Sequence, residues 1–145
     1  MAVSWPVLAV VVVLAALVPH LPSLQFGFVW DDQVLIGPQL DLTSAGDLVR
    51  LWSTPFDSLL RDPLLHNTYF RPVTILSLAL DRAVYGSGAA GFHFTNLAVY
   101  ALGTLFLWLF ASQVSGKPLL SAVGTIVFAL HPTHPESVDF IAGRT

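Results

Sequence analysis

Two long runs of this sequence contain no charged residue, and they limit its fold more than any other feature. The first covers residues 2–18 and the second covers residues 94–116. About 20 consecutive apolar residues are enough for a helix to cross the hydrocarbon core of a bilayer. The first run is apolar on every side, and a helix without a polar face is either buried or in contact with lipid. The sequence therefore predicts membrane-spanning helices.

The composition of the whole chain agrees with a membrane protein. Charged residues make up 10% of the chain and the mean hydropathy is +0.72, whereas an average soluble protein has about 25% charged residues. The formal net charge of −3, without any run of Lys or Arg, excludes a basic surface for nucleic acid. The sequence has no cysteine, which excludes a disulfide framework and a thiolate metal site.

The first apolar run is predicted as a helix over residues 2–21, which Pro19 and Pro22 end. No Lys or Arg precedes the run, and no small-residue cleavage site follows it. A secretory signal peptide has both features. We therefore predict a retained membrane helix.

Residues 24–93 are the most polar part of the chain and are predicted as a long loop outside the membrane. Seven of the nine acidic residues and four arginines lie here. Thr43 or Ser44 can cap a short amphipathic helix, and Pro72 can begin a second helix that the Gly-Ser-Gly at 86–88 ends. Both helices are too short to span a bilayer, so we expect the first at its interface and the second either at the interface or as a re-entrant segment.

Residues 94–130 are predicted as a helical hairpin with a tight turn at the Ser-Gly-Lys-Pro of 115–118. The second arm, 118–130, covers only about 20 Å at ~1.5 Å per residue, against ~30 Å for the hydrocarbon layer. It therefore either continues past Leu130 or leaves the segment 131–145 at or below the lipid headgroups.

The hairpin also places two polar clusters on one face of the membrane, because it carries the chain across and back. One cluster contains Asp31 and Asp32 in the outer loop, and the other is the outer segment 131–145. The predicted fold class is all-α: a polytopic membrane protein with about three transmembrane helices and interfacial helices in a long outer loop.

The two polar clusters each allow a functional and a structural interpretation. Asp31 and Asp32 are either a functional carboxylate pair beside the membrane or a solvated turn. The His-Pro-Thr-His-Pro-Glu at 131–136 contains residue types that bind zinc, but its two prolines exclude the helical spacing of a zincin. We favour histidines that cap the carbonyls of the preceding helix, and we predict no metal site, although a divalent metal fits the same residue types.

Other polar and aromatic residues also have two interpretations. Arg71 either binds a phosphate through its planar guanidinium or pairs with an acid such as Asp81 or Asp62. His93 and Asn96 either line a pocket or satisfy backbone groups at a helix start. Among the tryptophans, Trp30 and Trp52 fit a membrane-interface belt as readily as a platform for a sugar.

Four stretches, in this order and spacing, resemble the transmembrane and tetratricopeptide-repeat O-mannosyltransferases and their bacterial relatives. They are Phe-Val-Trp-Asp-Asp at 28–32, Tyr-Phe-Arg-Pro-Val-Thr-Ile-Leu-Ser at 69–77, Phe-His-Phe-Thr-Asn at 92–96, and the stretch from Phe-Ala-Leu-His-Pro-Thr-His-Pro-Glu to Ala-Gly-Arg-Thr at 128–145. The resemblance covers almost the whole chain. It implies the N-terminal region of a glycosyltransferase of the GT-C architecture, with more membrane helices and helical repeats downstream.

The resemblance also implies a function and a set of site residues. Such enzymes move a sugar, mannose or a related one, from a polyprenyl- or dolichyl-phosphate donor to a Ser or Thr hydroxyl of an acceptor protein. Asp31 and Asp32 match the acid of the first outer loop, and we lean to Asp32 as the general base, with its neighbour as orienter or metal ligand. No cofactor is expected apart from the lipid-linked donor. The substrate-binding candidates are Arg71, His93, Asn96, His131, His134, Glu136 and Arg144, with the two arginines beside the departing phosphate.

The resemblance places the outer loop on the lumenal side of the endoplasmic reticulum membrane, or on the periplasmic side of a bacterial inner membrane. A count of positive charges gives the opposite orientation, but the loop exceeds the ~60 residues over which that rule holds. As one part of such an enzyme, these 145 residues are expected to be inactive alone. The alternative is a non-enzymatic membrane anchor or scaffold, and a transporter is a more distant one.

Overall fold

The computed structural model describes residues 4–55, 58 and 70–144, and the regular elements in these ranges are all helical. This confirms the all-α fold class for the described part of the chain. Two 3₁₀-helices cover Val18–Gln25 and Pro38–Leu40. The α-helices are α1 Trp5–Leu17, α2 Asp31–Leu35, α3 Ala45–Ser53, α4 Pro72–Tyr85, α5 Ala89–Ser115, α6 Pro118–Ala129 and α7 Pro135–Val138.

Helices α1, α5 and α6 pack against one another and enclose the first of two cores. Leu8 and Val12 of α1 meet Trp108 of α5 and Ala122 of α6 there. The indole Nε1 of Trp108 donates to a carbonyl at the start of α6 at 3.1 Å. Gly116 adopts a left-handed conformation (φ 64°) between α5 and α6, which allows the tight turn. The predicted helical hairpin is therefore present.

The outer faces of these three helices are apolar. Phe106, Phe110 and Val114 of α5 expose 65%, 68% and 73% of their surface. Soluble monomers rarely expose apolar surface this continuously. Trp5–Gln25 and Ala89–Ser115 are each long and apolar enough to cross a membrane.

The third apolar helix, α6, is shorter than the other two. Its 12 residues extend about 18 Å at ~1.5 Å per residue, which is less than the ~30 Å hydrocarbon layer. It ends at Ala129 rather than continuing past Leu130. Two of the three spanning helices that the sequence predicts thus have the required length, and the third crossing stays a prediction.

Two helix ends differ from the predicted ones. The α-helical part of the first helix stops at Leu17, but the chain continues as a 3₁₀-helix to Gln25, with Pro19 and Pro22 inside it. Proline removes an N–H donor and crowds the carbonyl four residues before it, so α-helical pairing stops while tighter turns still form. Helix α5 begins at Ala89, five residues before the predicted start, directly after the turn that follows α4.

The short helices of the outer loop begin at the predicted residues. Ser44 is the N-cap of α3, and Asp47 Oδ2 accepts the backbone N–H groups of Thr43 and Ser44 at 2.9 and 2.8 Å. The hydrogen bond from the Thr43 hydroxyl, together with these backbone bonds, lowers the pKa of Asp47 far below its usual range. Pro72 begins α4, and Gly86 with φ 66° ends it.

A second core joins the outer loop to the last residues of the described chain. Its fully buried members come from α2, the 3₁₀-helix Pro38–Leu40, α3, α4, α5 and the outer segment. This core holds the outer segment against the loop, which is the packing that assembles the candidate site. Its largest side chains are Leu35, Leu40, Leu51, Ile75, Leu78, Phe92 and Ile141.

Candidate functional site

The two adjacent aspartates follow a turn with an unusual backbone conformation. Trp30 has φ 48° and ψ −118°, and the N–H of Asp32 donates to the carbonyl of Val29 at 3.0 Å. These are the angles of the second residue of a type II′ turn, where glycine is the usual residue. Trp30 is the only non-glycine residue with positive φ in the described ranges. The turn sends the side chains of Asp31 and Asp32 to different surroundings.

Asp32 is fully buried and holds the outer segment to the loop. Its Oδ1 accepts the N–H of Ala142 at 2.7 Å, and its Oδ2 accepts the N–H of Val29 at 3.2 Å. Burial raises the pKa of Asp32 above its ordinary value, although both N–H bonds oppose that rise. Asp31, one residue earlier, is exposed. The carboxylate pair therefore divides into one internal and one accessible group.

Arg144 is held by a network of protein groups and also lines a small cavity of about 140 Å³ together with Asn96 and His134. Its Nη1 forms an ion pair with Asp81 Oδ2 at 2.7 Å, and these side chains are 10% and 8% exposed. Its other nitrogens donate to Asn96 Oδ1 and to the carbonyl of Phe92, and Nη1 also donates to Ser77 Oγ. The predicted substrate-binding role of Arg144 is untested, but the structure directs its donors toward α4 and α5.

Asn96 joins the second long helix to the outer segment. Its Nδ2 donates to the carbonyls of Val138 and Phe140 at 3.0 and 3.4 Å, and its Oδ1 accepts from Arg144. The side chain is 4% exposed. Asn96 is the eighth residue of α5 rather than part of its start, and it satisfies backbone groups of the outer segment while also lining the cavity with Arg144.

The histidines of the outer segment contact the end of α6. His134 Nε2 is 2.9 Å from the carbonyl of Phe128, and the two rings pack with centroids 4.7 Å apart. His131 is exposed, and its Nδ1 is 2.9 Å from Thr133 Oγ1. His134 therefore caps a carbonyl of the preceding helix, which is the favoured alternative to zinc ligation. Within the described ranges, no three His, Asp or Glu side chains are grouped as metal ligands would be.

Gly143 lets the outer segment fold back closely on itself. A Cβ atom at this position would lie 2.3 Å from the carbonyl oxygen of Glu136 and 3.2 Å from that of Phe140. No side chain fits at that distance from the backbone. The glycine of the Ala-Gly-Arg motif is therefore required for this close approach. The approach allows the hydrogen bond from Ala142 to Asp32 and the ion pair between Arg144 and Asp81.

Glu136 lines an open groove together with residues of the strained turn. The groove has a volume of about 480 Å³, and the described residues that line it are Val29, Trp30, Glu136 and Phe140. Glu136 is the only charged residue among them. The rings of Trp30 and Phe140 meet edge to face, with centroids 6.3 Å apart.

Two other predicted site residues lie apart from the groove lining. His93 is 1% exposed and packs edge to face on Phe26, and neither of its ring nitrogens has a hydrogen-bond partner among the residues that the structure describes. Arg71 is the N-cap of α4 and is partly exposed. Its predicted partner Asp62 and the first residue of its motif, Tyr69, lie outside the described ranges.

The sequence prediction missed a buried pair that links the first helix to the outer segment. His20 Nδ1 lies 2.9 Å from Asp139 Oδ1, with side chains 5% and 23% exposed. The His20 ring also meets Tyr100 of α5 edge to face, at 5.4 Å. A histidine between two prolines at the end of an apolar run was the available signal, since an isolated polar residue there needs a partner.

Comparison with known proteins identifies related sequences. The chain is 31% identical to Protein O-mannosyl-transferase Tmtc1 of Drosophila melanogaster over 89% of its length. It is 33% identical to Protein O-mannosyl-transferase TMTC4 of Mus musculus over 81%, and 30% identical to Protein O-mannosyl-transferase TMTC3 of Homo sapiens over 84%. The predicted family resemblance is confirmed.

The similarity concerns one region of these relatives. The chain spans 15%, 18% and 13% of the length of the three proteins. No family model matches the chain, and no solved structure matches it. Each of these matches covers more than four fifths of the chain.

Proposed function

We propose that this chain is part of a membrane glycosyltransferase that moves a hexose, mannose or a related sugar, from a lipid-phosphate donor to a Ser or Thr hydroxyl of an acceptor protein. One observation carries the proposal. The Asp31–Asp32 turn and the outer segment, which are 110 residues apart in sequence, meet through the 2.7 Å bond from the N–H of Ala142 to Asp32. The similarity to protein O-mannosyl-transferases supplies the reaction class.

We assign the role of general base to Asp31, and this revises our preference for Asp32. A general base must come within hydrogen-bond reach of the acceptor hydroxyl, and Asp31 is exposed whereas Asp32 is fully buried. Asp32 holds the turn in place through its two N–H bonds and thereby orients its neighbour. It is a positioning residue in this proposal.

In the proposed reaction Asp31 accepts the hydroxyl proton while the hydroxyl oxygen attacks the anomeric carbon of the sugar. The bond from that carbon to the phosphate oxygen breaks, and the lipid phosphate leaves with the electron pair. Arg71 is the candidate to stabilise the charge on the phosphate, since it is partly exposed and a guanidinium suits phosphate oxygens. Arg144 is engaged with Asp81 and supports the fold of the site.

We place the protein in the endoplasmic reticulum membrane in a eukaryote or in the inner membrane in a bacterium, with the outer loop on the lumenal or periplasmic side. The apolar helices Trp5–Gln25 and Ala89–Ser115 support membrane insertion. Because the chain spans less than a fifth of its relatives, we expect activity only from the full-length protein.

A transfer assay with the full-length protein, a lipid-linked mannose donor and a Ser/Thr-containing acceptor tests the proposal. Asp31→Asn should lower kcat by about 10²–10⁴-fold, because a general base is lost, with donor affinity nearly unchanged. His134→Ala should lower it less than about tenfold, since one supporting hydrogen bond is worth roughly 1 kcal/mol. Gln33→Ala, an exposed change in the same short helix, is the control. Normal turnover by Asp31→Asn would show that the assigned base is wrong.

A further inference from the structure

The groove contains a large aromatic residue, Trp30, that the fold holds in an unfavourable backbone conformation. Trp30 is 84% exposed, so burial of its ring does not compensate for its positive φ. A non-glycine residue in such a conformation is strained, and such residues concentrate at functional sites. A glycine here would form the same turn without strain. The exposed ring must therefore be explained by something outside the described packing.

The groove has the surfaces that a sugar ring requires. Its lining contains the indole of Trp30, which meets the ring of Phe140 edge to face, and the acidic residue Glu136. An aromatic face packs against the C–H face of a pyranose, and a carboxylate accepts strong hydrogen bonds from its hydroxyls. The volume of about 480 Å³ lies within the roughly 300–1,000 Å³ of small-molecule sites.

We propose that the groove lined by Val29, Trp30, Glu136 and Phe140 binds a neutral hexopyranose, with Trp30 as its stacking platform and Glu136 as a hydroxyl acceptor. Among the described residues that line the groove only Glu136 is charged, and its carboxylate repels the phosphate of a lipid-linked sugar. The same acid disfavours an acyl chain, since a carboxylate facing hydrocarbon lacks a partner. A neutral ring with several O–H donors suits both the aromatic ring of Trp30 and the carboxylate of Glu136.

The inference rests on the proposed function for the source of the sugar. Trp30 immediately precedes Asp31 in the sequence, although Asp31 is not among the described residues that line the groove. The sugar belongs either to the lipid-linked donor or to an acceptor that already carries one. Both sources present the same ring chemistry, and they differ in which Michaelis constant Trp30 controls.

The binding test uses the full-length protein in detergent micelles and methyl α-mannopyranoside as the probe, followed by saturation-transfer NMR. The wild-type protein should transfer saturation to the ring C–H protons of the probe. Trp30→Gly should weaken binding roughly tenfold or more, through loss of the aromatic contact. This variant keeps the fold, because glycine suits the positive φ. Glu136→Gln should weaken binding less, and Trp52→Ala, which removes a tryptophan 52% exposed on α3, should leave it unchanged.

The binding and transfer assays together distinguish a failure of the sugar site from a failure of the proposed function. No saturation transfer to the wild-type protein, or equal transfer to Trp30→Gly, would overturn the sugar site. In the transfer assay, Trp30→Phe should raise KM for the donor if the donor sugar binds here, or KM for the acceptor if the sugar is already on it. Asp31→Asn should abolish transfer and retain probe binding. A protein without transfer activity that still binds the probe through Trp30 would refute the proposed function and leave the sugar site standing.

Equal quenching of Trp30 and Trp52 by brominated lipids, without any effect of the probe, would assign both rings to the membrane interface. That result would also overturn the proposal.

Discussion

Asp31 and Asp32 show how far two identical neighbours can differ in chemistry. The II′ turn at Trp30 leaves one carboxylate exposed and buries the other beneath Ala142. The sequence allowed both to be functional, because nothing in two adjacent letters shows which one a distant segment will cover. The burial of Asp32 depends on a contact 110 residues away, and it moves the role of base to Asp31.

Asp32 makes the stability of the protein depend on pH in a direction unusual for an aspartate. Its folded-state pKa lies above 3.8, so the folded protein holds this proton more tightly than the unfolded one. Stability from this group is therefore greatest below pH 3.8 and decreases as pH rises through the folded-state pKa. Melting temperatures of wild type and Asp32→Asn across this range should show that the wild type loses more stability on going to neutral pH. Parallel curves would contradict the prediction.

Replacing Asp32 should also destabilise the protein at neutral pH, in contrast to Asp31. An asparagine has one acceptor oxygen for the two N–H groups that Asp32 now accepts. The N–H left without a partner costs about 1–3 kcal/mol, which denaturant unfolding in micelles would measure. Asp31→Asn should leave the unfolding curve unchanged, since the side chain is exposed. An equal effect of both substitutions would mean that Asp32 does not hold the outer segment.

Arg144 of the outer segment should contribute much more to stability than the exposed Arg50 of the outer loop. Arg144→Ala leaves the carboxylate of Asp81 buried without its cation, which typically costs about 3–5 kcal/mol. Arg50→Ala is the matched control, because Arg50 is 45% exposed and pairs with a neighbour on the same helix turn. We expect little change there. Similar unfolding midpoints for the two variants would argue against the buried network.

At the scale of elements, the closing turn of the outer segment depends on one glycine. Gly143→Ala should destabilise the protein by about 1–3 kcal/mol, because its Cβ would lie 2.3 Å from the carbonyl oxygen of Glu136. Gly103→Ala on α5 provides the matched control, since open space surrounds that position. It should stabilise the helix by roughly 0.5–1 kcal/mol. Unfolding of both variants in micelles measures the change in the free energy of unfolding at each glycine. A change in the same direction for both variants would show that close approach is not the reason for Gly143.

An element could be predicted from the sequence when the residues that determine it lie within or next to it. Ser44, Pro72 and Gly116 act within a few residues of themselves, so local sequence was sufficient to locate the starts of α3 and α4 and the hairpin turn. The 3₁₀ continuation through Pro19 was not predictable, because proline forbids an α-helix without specifying what replaces it. The strained turn at Trp30 also lacked a signal, since no glycine marks it.

At the scale of the whole molecule, the helical hairpin brings the two polar clusters to one side. The crossing argument predicts this from charge-free runs alone, and the contacts from Asp32 and His20 to the outer segment agree with it. The partners within the clusters could not be predicted, because the pairs His20–Asp139 and Asp81–Arg144 join segments far apart in sequence.

Cysteine labelling tests this arrangement in a membrane. The chain has no cysteine, so single cysteines give an unambiguous signal. Residues Gln33, Ser137 and Ser115 are exposed and suit the experiment. Cysteines at positions 33 and 137 should react with an impermeant reagent from one side of sealed vesicles, and a cysteine at 115 from the other. Labelling of positions 33 and 137 from opposite sides would rule out a shared site.

Helices α5 and α6 of the hairpin differ in length, and this difference bears on how a molecule with a hydrocarbon tail would reach the outer segment. Helix α6 ends where the Ala129 carbonyl accepts the hydroxyl of Tyr100, the twelfth residue of α5. Those twelve residues extend about 18 Å past the end of α6 at ~1.5 Å per residue. If α5 spans the bilayer, the outer segment lies beside the part of α5 that extends beyond α6, at the depth of one leaflet. A molecule with a hydrocarbon tail then reaches the outer segment by lateral diffusion, without lifting its headgroup out of the membrane.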